Sequence, residues 1–256
     1  YVGGTGKTPV SIAIANDLKV KKKNPVIIKK YYENQIDEQV MLSEITDSVI
    51  VDKNRSKAIE EAEIKNFDIA ILDDGFQDYA IEKNINIICF NTNQLIGNGL
   101  VFPAGPLREN LSSLKRAQFV ILNGEKNKIF EEKILEISQK IKIFYSKYTP
   151  INLDQFKNKK LLAFAGIGNP SNFFKLLSEH NLNVQKNIFF PDHYDFTSNE
   201  IENLIKTAKK NDLELITTEK DFYRIKDYNF KEIKYLKVDL IIKEKNKFMN
   251  EIISRL

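Results

Sequence analysis

A glycine-rich turn near the start of the chain, at residues 3–6, leads directly into Lys7-Thr8. Residues 9–18 then place apolar side chains at helical spacing, which predicts a helix that begins at this turn. Glycines let several backbone N–H groups converge on one point, and the N-terminus of a helix adds the positive end of its dipole. The turn therefore predicts a site for the phosphates of a nucleotide, with Lys7 reaching the β- and γ-phosphates and the Thr8 hydroxyl available to Mg²⁺.

The turn departs from the full P-loop pattern at one position. That pattern has another glycine five residues before Gly6, where this chain has Tyr1. An ordinary glycine turn ahead of a helix is therefore the alternative interpretation. A strand normally leads into a phosphate loop, and we expect that strand to be missing from this sequence.

Short apolar segments alternate with helical segments along the chain. Strands that are apolar on both faces and separated by helices favour an α/β fold with a doubly wound, mostly parallel sheet. We predict a P-loop domain over residues 1–148 and a second, smaller α/β lobe over residues 149–256, joined by a linker at 146–160. Residues 235–242 are predicted to form one strand of this lobe. The predicted strands of the first domain are residues 25–28, 48–51, 68–72, 85–90 and 119–122.

Charge, cysteine content and hydropathy narrow the class of protein. The net charge of +4, from 39 basic and 35 acidic residues in 256, is too small to indicate nucleic-acid binding. Cys89 is the one cysteine and lies in an apolar segment, so we expect a buried, unreactive thiol and a reducing cytosolic environment. No apolar run approaches the roughly 20 residues that a membrane-spanning helix needs, and we expect no signal peptide.

Two charged segments are expected near the phosphate loop. Asp73-Asp74-Gly75 follows the predicted strand at residues 68–72, and the carboxyl ends of parallel strands gather at one edge of a sheet. Carboxylates at that edge suit a Mg²⁺·ATP site, although Asp-Asp-Gly is also a common turn. Arg108 lies near the end of a glycine- and proline-rich loop at residues 97–109. Its guanidinium either binds phosphate oxygens or forms a surface salt bridge.

Three further polar segments have less specific patterns. Asp37-Glu38 opens a predicted helix at residues 37–45, where an acidic pair stabilises the first turn with or without a catalytic role. His193 lies between Asp192 and Asp195, a setting that orients an imidazole but is also typical of a turn. Residues 217–221 form either part of a cleft or a capped helix start.

The motifs GGTGKTP, DE, DDGFQ, GNG…PAGPLRE, AGIGNP, DHYDF and TTEKD, taken in this order, closely resemble those of the tetraacyldisaccharide 4′-kinase family over residues 2–226. The resemblance implies transfer of the γ-phosphoryl group of ATP, with Mg²⁺, to the 4′-hydroxyl of a tetraacylated glucosamine disaccharide 1-phosphate in lipid A biosynthesis. It also implies a peripheral enzyme on the cytoplasmic face of the bacterial inner membrane. We expect a monomer without a nucleic-acid partner, and an apolar N-terminal helix that this sequence lacks.

The same resemblance assigns roles to single residues. Asp37 matches the proposed catalytic base, with Glu38 beside it, and His193 matches the histidine that pairs with that base. The predicted catalytic residues are Asp37, His193 and Lys7. The predicted nucleotide-binding residues are Gly3, Gly4, Thr5, Gly6, Lys7, Thr8, Gln77 and Arg108. The predicted metal ligands are Thr8, Asp73, Asp74 and Glu38.

The chain departs from the family pattern in four places. Lys29-Lys30-Tyr31-Tyr32 replaces a usual Ser-Arg-Gly-Tyr-Gly, and the segment from there to Asp37 is shorter than usual. Asp78 replaces a usual histidine and Gln39 a usual proline. The departures at Lys29–Tyr32 leave a catalytically inactive binding protein as one alternative. A nucleotide-driven switch or assembly ATPase without a lipid acceptor is the other.

Overall fold

The structure is a computed structural model that describes residues 5–33, 39, 42, 43, 45, 46, 48–192 and 194–256. It divides into two compact units. The first contains residues 5–33, Leu42–Thr149 and Leu240–Leu256, and the second contains Gln39 and Pro150–Asp239. The predicted catalytic residues Asp37 and His193, together with Glu38, Gly3 and Gly4, lie outside the described residues.

Among the elements whose ends lie in the described ranges, two helices flank a three-stranded parallel sheet of the first unit. Its elements are α1 Lys7–Val20, β1 Pro25–Lys30, β2 Val49–Asp52, α2 Arg55–Ile64 and β3 Ile69–Asp73. β1 lies between β2 and β3, and its Lys29 is in register with Asp73 of β3. Asn54 caps α2 by accepting hydrogen bonds from the backbone N–H groups of Ser56 and Lys57.

A four-stranded sheet completes the first unit. Its elements are β4 Ile87–Asn91, β5 Phe119–Asn123, α3 Lys128–Ile137, β6 Lys142–Pro150, β11 Val238–Ile242 and α7 Lys245–Ile253. The strand order is β11-β6-β5-β4, and β4, β5 and β6 run parallel. The rings of Phe119, Phe144 and Phe248 meet edge to face or tilted at the centre of the core. Val10 and Ile14 of α1 pack into the same cluster, so α1 is fixed against this sheet.

The second unit contains another four-stranded sheet, in which every pairing is parallel. Its elements are β7 Lys160–Ala165, α4 Pro170–Glu179, β8 Asn183–Phe189, α5 Ser198–Lys210, β9 Glu214–Thr218, α6 Glu219–Ile225 and β10 Ile233–Leu236. The strand order is β10-β9-β7-β8. Leu161 and Ala163 of β7 face one apolar layer, and Leu162 and Phe164 face the other. Both faces of this sheet are therefore covered.

The structure differs from the predicted boundaries near the C-terminus. Residues 235–242 form two strands rather than one, because Leu236 packs in the second unit whereas Leu240 and Ile242 pack in the first. Phe248, in the core of the first unit, brings α7 back to that unit as well. The predicted second lobe at 149–256 therefore loses Leu240–Leu256 to the first unit. The predicted linker at 146–160 begins within β6, which extends to Pro150.

Cys89 lies in β4 and is buried, as predicted for an unreactive thiol. Burial raises the pKa of Cys89 to about 12, so the thiol stays protonated at neutral pH. Among the helices in the described ranges, none is long and apolar enough to cross a lipid bilayer.

Candidate active site

The N-terminus of α1 is shaped by the last glycine of the predicted phosphate loop. Gly6 caps the helix in the left-handed conformation, with φ +90°, and its carbonyl accepts a hydrogen bond from Val10 N. A Cβ at this position would lie 3.0 Å from Asn123 Nδ2 and 3.2 Å from the Tyr148 hydroxyl. Both the backbone angle and the available space therefore require glycine here. Thr5 is buried beside it, and the structure gives the Thr5 hydroxyl no hydrogen-bond partner among the described residues.

Asn123 and Tyr148 form the polar support beneath this turn. They lie at the end of β5 and in β6, and their side chains are hydrogen-bonded to each other. Burial raises the pKa of Tyr148 to about 12, so its hydroxyl remains a neutral hydrogen-bonding group. Asn123 is also in register with Asn91 of β4 and Ser146 of β6, and all three are buried. Sequence analysis missed this row, although each member follows an apolar strand segment.

Asp73 connects the phosphate loop to the sheet. Its carboxylate is 1% exposed and accepts hydrogen bonds from Thr8 Oγ1 at 2.9 Å and Ser11 Oγ at 3.3 Å. Lys29 Nζ lies 3.1 Å from Asp73 Oδ2 and is itself buried, so the two charges form an enclosed ion pair. The structure thus brings together Thr8 and Asp73, as predicted. Lys29, the penultimate residue of β1 and a position that departs from the family pattern, thus has a buried ionic partner.

Asp74 carries the charge that faces the loop lysine. Its backbone has φ +57°, and Lys7 Nζ and Arg108 Nη1 lie 3.7 Å and 2.6 Å from its carboxylate oxygens. Burial on its own would raise the pKa of Asp74, but the nearby positive charges of Lys7, Arg108 and Arg55 outweigh it and hold the pKa below the ordinary value. Asp74 is therefore a carboxylate at neutral pH. Arg108, predicted to contact phosphate, lies within reach of the same site.

Arg55 holds the chain segment that contains both aspartates. It is the first residue of α2 and is buried. Its Nη2 donates hydrogen bonds to the backbone carbonyl oxygens of Asp73 at 3.0 Å and Asp74 at 2.9 Å, and its Nη1 lies 3.3 Å from Asp78 Oδ2. Sequence analysis missed Arg55, since nothing in the local pattern distinguishes it from an exposed helix arginine. Asp78, noted only as a departure from the family pattern, is its ionic partner.

Gln77 lies in the turn that follows the two aspartates. This turn is closed by a hydrogen bond from Asp78 N to the Gly75 carbonyl, and Gln77 is half-buried. The guanidinium of Arg116 lies over the ring of Phe76, 4.2 Å from its centroid, and is paired with Glu109. Arg116 and Glu109, at or just after the end of the loop that contains Arg108, thus hold the DDGFQ segment in place.

The donor groups at this site suit Mg²⁺. The Thr8 hydroxyl and the carboxylates of Asp73 and Asp74 are hard oxygen ligands of the kind that Mg²⁺ prefers. Within the part of the chain that the structure describes, no three His, Cys, Asp or Glu side chains are grouped to hold a metal by themselves. The residues therefore fit an ion that shares its coordination with substrate phosphates and water.

Replacing Arg108 with glutamine is expected to raise the pKa of Asp74 toward its ordinary value, because a neighbouring positive charge is lost. The pKa of Asp74 is lower in the folded state than its unfolded value of about 3.9, so ionised Asp74 stabilises the fold fully at pH values above 3.9. That stabilisation is lost as the pH falls through the folded pKa. Arg108→Gln should therefore lose less unfolding free energy than the wild type when the pH is lowered. Carboxyl NMR titration from pH 7 to pH 2 measures the shift.

Arg255→Gln is the matched control for Arg108→Gln, because Arg255 forms an ion pair with Glu251 in α7 and has no contact with Asp74. It should leave the Asp74 titration unchanged. An unchanged Asp74 titration in Arg108→Gln would contradict the account of this charge cluster.

Comparison with known proteins places these features in one family. The protein-family model described as tetraacyldisaccharide-1-P 4′-kinase matches residues 1–256. The chain belongs to this family. A tetraacyldisaccharide 4′-kinase of Pelagibacter ubique strain HTCC1062 is 40% identical over 256 residues, which cover 99% of this chain and 81% of that protein. Another, of Rickettsia bellii strain OSU 85-389, is 34% identical over 242 residues, which cover 88% of this chain and 74% of that protein.

A solved structure shares the fold. The crystal structure of LpxK from Aquifex aeolicus in complex with ATP superposes with a TM-score of 0.73 at 23% identity, covering 99% of this chain and 85% of that one. The predicted α/β P-loop fold with parallel sheets is thereby confirmed. Family membership confirms the sequence resemblance and the predicted class of enzyme, a kinase that acts on an acylated disaccharide phosphate.

Proposed function

We propose that this chain transfers the γ-phosphoryl group of ATP to the 4′-hydroxyl of a tetraacylated glucosamine disaccharide 1-phosphate, a step of lipid A biosynthesis. One observation carries the proposal. In a member of this kinase family, Lys7 and Thr8 at the N-terminus of α1 lie against Asp74 and Asp73 at the end of β3. This is the arrangement of cation, hydroxyl and carboxylates that a phosphoryl-transfer site requires.

The nucleotide half of the reaction uses the residues around Gly6. The backbone N–H groups at the start of α1 are directed to the phosphates of ATP, and Lys7 neutralises charge on the β- and γ-phosphates. Lys7 is paired with Asp74 at 3.7 Å, so its ammonium group exchanges a carboxylate for phosphate oxygens when ATP binds. Thr8, Asp73 and Asp74 would hold Mg²⁺, and Glu38 is the further ligand that the family resemblance implies. When bound, Mg²⁺ supplies charge neutralisation at the phosphate oxygens.

The acceptor half of the reaction uses Asp37 and His193. Phosphoryl transfer to an alcohol needs a group that takes the hydroxyl proton as the new bond forms. We assign this role to the Asp37 carboxylate, with the His193 imidazole to orient it; a base in this role has to come within hydrogen-bond reach of the 4′-hydroxyl. Gln77 and Arg108 complete the nucleotide contacts. The support for Asp37 and His193 is their match to the family motifs.

The substrate also bears on where the enzyme works. A disaccharide with four acyl chains remains in a membrane, because each buried CH₂ group contributes about 0.8 kcal/mol to membrane binding. ATP is supplied on the cytoplasmic side. We therefore propose that the enzyme acts at the cytoplasmic face of the inner membrane, as a peripheral protein.

The test is transfer of ³²P from [γ-³²P]ATP to purified tetraacyldisaccharide 1-phosphate in detergent micelles. The full chain should label the lipid. Asp37→Asn should lower the rate by about 10²- to 10⁴-fold, the usual contribution of a general base. Asp227→Asn, an exposed aspartate of the second unit, is the matched control and should retain full activity.

Two other outcomes would contradict the proposal. ATP hydrolysis without lipid labelling would indicate a nucleotide-driven switch or assembly ATPase. ATP binding without either reaction would indicate an inactive binding protein. Full activity of Asp37→Asn would leave the reaction in place but remove Asp37 as its base.

A further inference from the structure

Two motifs of the second unit have no role in the proposed reaction. The glycine turn at residues 166–170 follows β7, and the polar segment at residues 217–221 covers the end of β9 and the start of α6. β7 and β9 are parallel neighbours in the sheet, with Ala163 opposite Ile216, so the two motifs emerge at the same edge. Their side chains and backbone groups are joined there by a buried network.

Asp221 is the centre of this network. Its carboxylate is fully buried and accepts hydrogen bonds from Gly166 N at 2.9 Å and Thr218 Oγ1 at 2.8 Å. Arg224 Nη1 lies 2.8 Å from Asp221 Oδ1 and also donates to the Gly166 carbonyl at 2.6 Å. One buried ion pair therefore binds both the N–H and the C=O of Gly166, which fixes the plane of the glycine turn.

The glycine turn in turn supports the DHYDF segment. A Cβ on Gly166 would lie 3.2 Å from Tyr194 Cβ, and one on Gly168 would lie 3.0 Å from Asp192 Oδ2. The backbone at Gly166 and Gly168 therefore lies close to the residues immediately before and after His193, with no room for a side chain between them. The ring of Tyr194 packs on Phe196, and the Tyr194 hydroxyl donates a hydrogen bond to Glu200 Oε1 at 2.6 Å. The neighbours of His193 thus rest on the turn that Asp221 and Arg224 hold.

A buried ion pair is a costly way to stabilise a fold. Removing two charges from water often costs more than their attraction returns, and well-packed apolar residues can do as well. Burial raises the pKa of Asp221 in spite of its hydrogen bonds, which reflects that cost. The ion pair instead fixes the orientation of the Gly166 peptide groups, because an arginine and a carboxylate hold the groups that they bind at defined angles.

We propose that Asp221 and Arg224 are positioning residues for the kinase reaction, acting through the Gly166–Gly168 turn on the segment that carries His193. This inference rests on the proposed function, in which His193 orients the catalytic base. Neither residue touches a substrate in this account. A displacement of about 1 Å in a catalytic group lowers a rate by as much as about 100-fold. Loss of the Asp221–Arg224 pair is therefore expected to lower the rate of phosphoryl transfer.

The kinetic test is Asp221→Asn, which keeps the shape of the side chain and removes its charge. We expect kcat for lipid phosphorylation to fall about 10- to 100-fold, with the KM for ATP unchanged because the nucleotide residues belong to the first unit. In a His193→Ala background the same substitution should cause no further loss. Asp212→Asn, an exposed aspartate of the second unit, is the matched control and should have no effect.

The structural test uses the two histidines of the chain, His180 and His193. Their imidazole NMR signals are assigned with His180→Gln. Asp221→Asn should shift the His193 signal and leave His180 unchanged. Gly168→Ala changes the same segment without touching the ion pair, since its new Cβ meets Asp192. It should shift the His193 signal as well and lower kcat with the same unchanged KM for ATP.

Three results would overturn the positioning role. They are a His193 signal that is unchanged in Asp221→Asn, a wild-type kcat in that variant, and an equal loss of kcat with and without His193, which would indicate a purely structural effect. A shifted His193 signal in a protein whose wild type fails to phosphorylate lipid would instead refute the proposed function while supporting the contact network.

Discussion

Replacing Lys7 with alanine is expected to lower kcat for lipid phosphorylation by about 10²- to 10³-fold, the usual cost of removing one electrostatic group aimed at the transition state. Lys7 is the first residue of α1 and extends from its N-terminus toward Asp74. The partly exposed pair that it forms there contributes less than about 1 kcal/mol to stability. The variant should therefore fold normally, and steady-state kinetics with a thermal melt measure both properties.

Lys21→Ala is the matched control for Lys7→Ala. Lys21 caps the other end of α1 and is exposed, so its loss removes a lysine from the same helix without approaching the site. It should leave kcat unchanged. Near-normal turnover in Lys7→Ala would mean that the ATP phosphates are neutralised elsewhere, and the role of the phosphate loop in this chain would have to be abandoned.

Replacing Asp73 with asparagine should have the second large effect, and here activity and stability fall together. The buried Lys29 would lose the carboxylate 3.1 Å away. An uncompensated buried charge costs about 3–5 kcal/mol of unfolding free energy. Loss of the carboxylate also removes a proposed Mg²⁺ ligand, so lipid phosphorylation should become undetectable even at temperatures where the variant is folded. Denaturant unfolding and the ³²P assay measure the two effects.

A double variant separates the two consequences. Lys29→Met removes the orphaned charge and keeps an unbranched apolar side chain, so Asp73→Asn with Lys29→Met should recover most of the lost unfolding free energy but no activity. Asp68→Asn is the control and should be neutral for both, because Asp68 is exposed immediately before β3 and an asparagine oxygen still accepts the hydrogen bond from Asn24 N. Recovery of activity together with stability would show that Asp73 serves only the fold.

Much of the first unit could be predicted from local pattern. The five predicted strands of the first domain are present with small shifts of their ends, because each is a short apolar segment bounded by a turn or a helix. The approach of Thr8 to Asp73 followed from a general rule, that the ends of parallel strands meet at one edge. The local sequence pattern was sufficient to predict the position of a residue wherever that position depends on a single helix or strand.

The remaining features depend on contacts between distant segments. Lys29 and Arg55 resemble ordinary exposed cations in the sequence, and only the register of β1 with β3 and the position of α2 bring them to Asp73. Tyr148 reaches Gly6 from a strand on the other sheet. The return of Phe248 to the first unit likewise needs a partner core that a local pattern cannot specify.

The motifs of the second unit illustrate the same limit. Gly166 and Asp221 were conspicuous in the sequence, yet their pairing across 55 positions was not predictable, since a glycine turn and a capped helix start each have a sufficient local explanation. The hydrogen bond from Gly166 N to the Asp221 carboxylate links the two motifs. It also gives the buried carboxylate at the start of α6 a structural role.

The most direct test of the central claim is a crystal structure of the full chain with Mg²⁺ and a non-hydrolysable ATP analogue. We predict that the triphosphate lies at the N-terminus of α1, with Lys7 Nζ moved from Asp74 to the β- and γ-phosphate oxygens and the ion bound by Thr8 and at least one of Asp73 and Asp74. A triphosphate bound away from α1, with Lys7 still paired to Asp74, would contradict the account.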